Sequence, residues 1–405
     1  MPMVDMKHML QHAYRHGYAV GAFEVVSLDF LDGIIMAAEQ ARAPVILSLA
    51  ESRFAHFNFD LIMPAVEAAA MRAQVPVAIH FDHGTCLESA VNGIRLGCNG
   101  VLVDLSHLDF VENTQMTKQV VETAHACGVS VEGELGYVPG AEGEGAEIFP
   151  GDLAYTLLAE AKAYVERTGV DFLAVSVGTV HGRMKGKPKL DYTRLKQINE
   201  ALKIPLVIHG GSGLSDDQCR RLIANGVTKI NCYTALSDVA AKQIRENVRI
   251  NTASGCTGLT KDINRAVATE VERCMRLWGA AGRAAEVLAQ CQPWNPVEHL
   301  IIYNVEGLDH RDVETMMAEG CRVLSTIPGV RGVFSGEAVQ TDASYRYTWL
   351  IRFCHPAVID SYREHPVHVA FADNLFRPVA GKRISIDFQP VKPATARYYV
   401  EHEGA

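Results

Sequence analysis

The residues best able to do chemistry stand side by side. Asp82-His83-Gly84 closes the apolar run Val77-Ala78-Ile79. A carboxylate can take or return a proton, and a neutral imidazole is the commonest metal ligand. The competing reading of this tripeptide is a polar turn that happens to carry a histidine. Two more histidines repeat the pattern beside glycine, in His181-Gly182 and His209-Gly210-Gly211-Ser212. Three imidazoles meeting at one point with an open position make a catalytic Zn²⁺ site. The chain has 16 histidines, so a few would fall near strand ends by chance. Three beside glycine, in three separate segments, argue against chance. No H-E-x-x-H pair is present, which excludes the helical metalloprotease arrangement. Asp104, Glu134 and Asn231 close other apolar runs and could converge with the histidines.

The glycines suggest what a metal there would act on. Lys185 follows His181-Gly182, and Gly210-Gly211-Ser212-Gly213 precedes a helix at Ser215-Asp216-Asp217. Backbone N–H groups in such turns cradle phosphate. The alternative is that these glycines only turn the chain. A metal, a carboxylate beside a metal ligand and a phosphate site together suit proton abstraction next to a carbonyl. On that reading Asp82 is the base and Zn²⁺ the electrophile.

The elements that must position these groups are short strands alternating with helices. Strands are predicted at Val20–Phe23, Pro44–Leu47, from Val77, at Val101–Val103, Val129–Val131, Phe172–Val175, Leu206–Ile208 and Lys229–Asn231. Helical stretches lie between them, and helices from about Thr234 to Trp278 follow. Eight such units predict an α/β fold, a TIM (β/α)8 barrel with the chemistry at the C-terminal strand ends. The texture then changes at Gln292-Pro293-Trp294-Asn295-Pro296, a two-proline linker. Beyond it the pattern is strand, helix, two strands, helix, strand, a small α+β domain. The predicted division is a barrel over 1–288, a linker over 289–297 and a second domain over 298–405.

Composition excludes several classes. A net charge of −9 with no basic block argues against nucleic acid as a partner. No stretch of about 20 apolar residues occurs, so no membrane is expected. The ten cysteines form no C-x-x-C pair and fit reduced thiols, hence a cytoplasmic location.

The strings "YAVGAFEV", "HFDHG", "VEGELG", "ERTGVDFLAVSVGTVHG", "PKLDYTRLKQI" and "LVIHGGSGLSDDQ" resemble the class II, metal-dependent ketose-bisphosphate aldolases, across roughly residues 5 to 285. The resemblance implies Zn²⁺ on His83, His181 and His209, with Asp104 and Glu134 at an alternative buried metal position. A second metal or an assisting monovalent cation is left open. It implies retro-aldol cleavage of a ketose phosphate, of fructose- or tagatose-bisphosphate type, through a zinc-held enediolate of dihydroxyacetone phosphate. Glu142 would move the C3 proton, and Asp82 would then serve the aldehyde oxygen rather than the ketose. Phosphate would lie on Gly182, Lys185, Gly210, Gly211, Ser212, Asn231 and Thr234. The strings "VEHLIIYNVEG", "LSTIPGVRGVFSGE" and "YREHPVHVAFADNLFRPVAGKRISIDF" resemble the stress-responsive dimeric α/β-barrel family, ferredoxin-like sandwiches that pair their sheets. Both resemblances imply a homodimer or a higher homo-oligomer. His365-Pro366-Val367-His368 is either a capped helix end or part of a small-ligand pocket.

The sequence also departs from the first family. Glu24 stands where Asn is usual, Ala50 where Ser is usual, Pro139 replaces a loop glycine, and Tyr233 adds bulk after Asn231. These changes fall on the acceptor side, where acid and bulk would disfavour a second phosphate. Two alternatives therefore accompany the aldolase reading. One is a different metal-dependent lyase with altered acceptor specificity, and the other is a catalytically silent assembly protein that kept its metal site.

Overall fold

The computed structural model describes residues 2–55, 58–138, 147–148, 155–184 and 189–391. Contacts divide the chain between Trp294 and Asn295 into two units. Family-type assignments for Glu142 and Lys185 lie outside the described residues.

In the first unit, eight strands form a closed parallel barrel in chain order. They are β1 (Val20–Glu24), β2 (Val45–Ala50), β3 (Val77–Gly84), β4 (Gly100–Val103), β5 (Ser130–Leu135), β6 (Phe172–Val175), β7 (Leu206–Ile208) and β8 (Val227–Cys232). Closure is by β1 against β8, with Val20 opposite Lys229 and Ala22 opposite Asn231. The strands are near-continuous apolar runs because a parallel strand is covered on both faces. Helices between them start where a short polar side chain takes the first orphan N–H groups. Ser27 accepts from Phe30 N–H ahead of the helix Leu28–Ala41, and Asp109 accepts from Val111 and Glu112 N–H ahead of Phe110–Ala126. A two-residue pairing of 147–148 with 183–184 was not foreseen from the sequence.

Strand boundaries correct the sequence reading in a way that matters. β3 continues through Asp82 and His83 to Gly84, so these residues are not a turn. Alternation along a strand puts residues two apart on one face. His80 and Asp82, Glu132 and Glu134, and Lys229 and Asn231 are three such pairs, and all six side chains are buried. The upper barrel interior is thus polar where apolar layers are usual.

The second unit is a four-stranded antiparallel sheet of β9 (Val297–Val305), β10 (Val330–Glu337), β11 (Tyr347–Phe353) and β12 (Ala380–Phe388), in the order β10-β11-β9-β12. With the helices His310–Leu324 and Val358–Glu364 in the β-α-β-β-α-β order, this is the ferredoxin-like arrangement. Tyr303, Trp349, Ile351 and Phe353 form its core. The second helical stretch is broken at Pro366, which cannot continue a hydrogen-bonded turn. His365 Nδ1 accepts from Val367 N–H and caps the new helix Pro366–Phe371. His368 Nδ1 is 3.0 Å from the Arg363 carbonyl, and its ring lies 4.3 Å from that of Tyr362. These contacts favour the capped-end reading of that run. Among the described residues, no helix is long and apolar enough to cross a membrane, and no disulfide joins the ten cysteines.

Candidate active site and metal centre

His83 would point away from the barrel axis if β3 alternated strictly after Asp82. Instead β3 carries one extra residue between Phe81 and Gly84 against β4, and His83 has φ +49°. A bulge of this kind re-aims one side chain, and a non-glycine residue in the left-handed region costs about 1 kcal/mol. The strain turns the imidazole toward the other two. Ring centroids are 5.0 Å apart for His83 and His181, 4.7 Å for His83 and His209, and 5.5 Å for His181 and His209. Ligand nitrogens of all three fall within 4.8 Å of one another. His209 directly follows β7, whereas His181 lies in the loop well past the end of β6.

Carboxylates orient these rings. His83 Nδ1 is 3.2 Å from Asp104 Oδ2, and His209 Nε2 is 2.9 Å from Glu132 Oε1. An imidazole that gives one N–H to a carboxylate presents its other nitrogen as a lone pair. That leaves His209 Nδ1 facing the cluster, buried and without a hydrogen bond among the described residues. Burial holds the His209 imidazole below its ordinary pKa, the neutral form a metal needs. Both oxygens of Glu134 are buried without a hydrogen-bond partner. Burial, and then the neighbouring Asp104 charge, pushes the Glu134 carboxyl well above its usual range. His209 Nδ1 and Glu134 Oε2 lie 3.4 Å apart, and buried lone pairs of imidazole and carboxylate so placed, neither in a hydrogen bond among the described residues, fit a divalent cation. His83, Asp104 and Glu134 form a second candidate group that shares His83 with the first.

Asp82 is held as a charged acceptor. Its Oδ2 accepts from Asn231 Nδ2 at 2.8 Å and from Ser48 Oγ at 3.2 Å. Burial alone would raise its carboxyl. The His83 ring, the Lys229 ammonium and His80 outweigh that and keep it well below the ordinary value. Asn231 therefore turns its side-chain amide to Asp82, while its backbone carbonyl accepts from Gly211 N–H at 3.2 Å.

The glycine loops are built for close approach. Gly210 has φ +69°, and a Cβ there would sit 2.0 Å from the Val180 carbonyl oxygen, next to His181. Ser212 Oγ accepts from Ala235 N–H at 3.1 Å, tying the loop after β7 to the helix Thr234–Ile250. The N-cap residue Tyr233 gives no side-chain cap, so apart from the Ala235 N–H taken by Ser212 the first-turn N–H groups and dipole are available to an anion. Gly182, Gly210, Gly211, Ser212 and Thr234 thus belong to loops and a helix start at the same barrel end.

The sequence reading missed His80, Glu132, Lys229 and Ser48. Lys229 Nζ is 2.8 Å from Glu132 Oε2, both fully buried, and His80 Nε2 lies 3.5 Å from Asp82 and 3.6 Å from Glu132. The available signal was a polar residue two before a chosen one inside an apolar strand: His80 before Asp82, Glu132 before Glu134, Lys229 before Asn231.

Known proteins match this arrangement. The family model "Fructose-bisphosphate aldolase class-II" covers residues 4–283, and "Stress responsive A/B Barrel Domain" covers 297–390. The fructose-bisphosphate aldolase of Geobacillus stearothermophilus is 39% identical over 297 residues, 71% of this chain and 100% of that one. That of Staphylococcus aureus (strain Mu50) is 39% identical over 249 residues, 61% of this chain and 86% of its own. The solved structure of the YdjI aldolase from Escherichia coli K12 aligns with TM-score 0.62 and 33% identity, over 70% of this chain and 99% of that one. With the barrel, the three converging imidazoles and these matches together, the chain belongs to the class-II fructose-bisphosphate aldolases, metal-dependent carbon–carbon lyases of phosphorylated sugars, and carries a stress-responsive A/B barrel domain after the barrel.

Proposed function

We propose that this aldolase binds Zn²⁺ on His83, His181 and His209 and uses dihydroxyacetone phosphate as its ketone half. The observation that carries the reading is the bulge at His83, which brings three imidazoles together beside a charged Asp82. A divalent cation bound there supplies Lewis acidity that makes the C–H next to the ketone easier to deprotonate. Asp82, steadied by Ser48 and Asn231, serves as proton acceptor for the aldehyde-forming hydroxyl. Glu142 is assigned the C3 proton from the family resemblance alone. Gly182, Gly210, Gly211, Ser212, Asn231 and the start of the Thr234 helix, with Lys185, hold the phosphate. Asp104 orients His83, and His83, Asp104 and Glu134 offer the alternative metal position.

The C-terminal unit is read as a homodimer contact. Four strands cannot close a barrel alone, and one face of its sheet exposes Phe334, Ile384, Ile386 and Phe388. A second copy of that sheet covers them. Ten cysteines with no disulfide among the described residues support a cytoplasmic location.

The test is exchange of the C3 hydrogen of dihydroxyacetone phosphate with heavy water, with and without chelator. Chelator-sensitive exchange is expected. Absence of exchange by zinc-loaded protein refutes the assignment of this ketose.

A further inference from the structure

We propose that the acceptor end of this site selects an uncharged, hydroxyl-bearing aldehyde over a phosphorylated one, and that Glu24 with Arg53 makes the choice. The proposal rests on the aldolase reading above and adds the class of its second substrate.

Glu24 ends β1 and is buried. In the β1–β2 register it stands opposite Ser48, whose hydroxyl donates to Asp82. Residues opposite each other in a parallel pair share a face, so Glu24 points to the same interior as the proton acceptor. Arg53, in the short 3₁₀ turn Glu51–Ala55 after β2, donates from Nε to Glu24 Oε1 at 2.6 Å. Its guanidinium lies 4.3 Å over the ring of Tyr233, the residue after β8. An ion pair and an aromatic ring from β8, β1 and β2 thus wall one sector of the barrel mouth. The phosphate-holding groups named above lie on the loops after β6 and β7 and on the helix start that Tyr233 begins. A ketose anchored there by its phosphate would run past Tyr233 and place its other end toward Glu24 and Arg53.

The chemistry of the wall disfavours a second phosphate. The Arg53 charge is already matched by Glu24 at contact distance, and Tyr233 covers one face of the guanidinium. A dianion would meet a buried carboxylate at low dielectric, a like-charge clash. A carboxylate held by arginine is instead an acceptor for hydroxyl donors.

The experiment is aldol condensation by the metal-loaded full chain. Dihydroxyacetone phosphate is paired with glycolaldehyde, D-glyceraldehyde and L-glyceraldehyde, and with their phosphate esters. The best uncharged aldehyde is expected to exceed the best phosphorylated one in kcat/KM by about tenfold or more. Glu24→Gln removes the negative charge and leaves the cation, so the ratio moves toward phosphorylated aldehydes by about tenfold. Arg53→Met moves it the other way. A ratio is independent of the folded fraction, which protects the comparison from poor folding. A wild-type ratio of one or less, no turnover of any uncharged aldehyde, or a Glu24→Gln ratio equal to wild type overturns the proposal. Hydrogen exchange on dihydroxyacetone phosphate in the same preparations separates failures: loss of exchange defeats the aldolase reading, and exchange with the wrong ratio defeats this one.

Discussion

Replacing Lys229 with Met removes one half of a fully buried ion pair and leaves the barrel interior with an uncompensated charge. Lys229 Nζ is 2.8 Å from Glu132 Oε2, and neither side chain reaches solvent. Burial would push the Glu132 carboxyl up. The ammonium, and then the His209 N–H, bring it instead to about 2 from an ordinary 4.5. That difference corresponds to roughly 3 kcal/mol of preference for the charged form. Breaking a buried pair by deleting one partner typically costs about 3–5 kcal/mol. Met matches the lysine stem in volume, and the cavity contribution is small. The expected loss is therefore about 3–5 kcal/mol in chelated protein, where metal binding does not add to apparent stability. Urea unfolding combined with hydrogen exchange at the amides of β5 and β8 reports the barrel separately from the C-terminal unit. The double variant Lys229→Met, Glu132→Gln should cost less than the sum of the single changes, with coupling of about 1–3 kcal/mol. A single-variant loss below about 1 kcal/mol, or strict additivity, would refute the reasoning.

Three further outcomes follow from other contacts. Asp171 is buried against Lys7 (2.7 Å), His125 Nε2 (2.9 Å) and Val131 N–H (2.8 Å). Burial opposes its charge, but the His125 and Lys7 contacts outweigh it and depress the carboxyl below its usual value. A depressed carboxylate stabilises the fold above its unfolded pKa, and that contribution fades as pH falls through the folded value. Asp171→Asn should thus cost about 1–3 kcal/mol at pH 7, and the gap to wild type in urea melts should narrow below about pH 4; a gap that widens in acid is inconsistent with this. Gly210→Ala drives a methyl into the Val180 carbonyl beside His181, so zinc affinity by competition with a chromogenic chelator should fall about tenfold or more; unchanged affinity would mean the loop yields freely. Ile386→Glu on the exposed sheet face should shift sedimentation from dimer to monomer while leaving the far-ultraviolet spectrum of the fold in place; a dimer that persists places its interface elsewhere.

Local pattern made much of this molecule legible before any coordinates. Continuous apolar runs bounded by polar residues are a property of each segment alone, and the eight barrel strands fall where those runs are. The same holds for the ferredoxin-like tail, and for Asp82, His83 and His209, which sit at or just beyond strand ends beside glycine. Three things needed the fold. The first is that His83 faces its partner histidines: alternation alone turns it outward, and only the bulge against β4 brings it back. The second is the Lys229–Glu132–His80 network, whose members are far apart in sequence and meet only when β3, β5 and β8 close one barrel. The third is the pairing of Glu24 with Arg53 under Tyr233, set by the registry of β8, β1 and β2. Sequence determines which face and which element a residue occupies, because side-chain periodicity is local. Which charges share a low-dielectric interior is decided by ring closure and register, because electrostatic partners here are separated by scores of residues and joined only through the barrel.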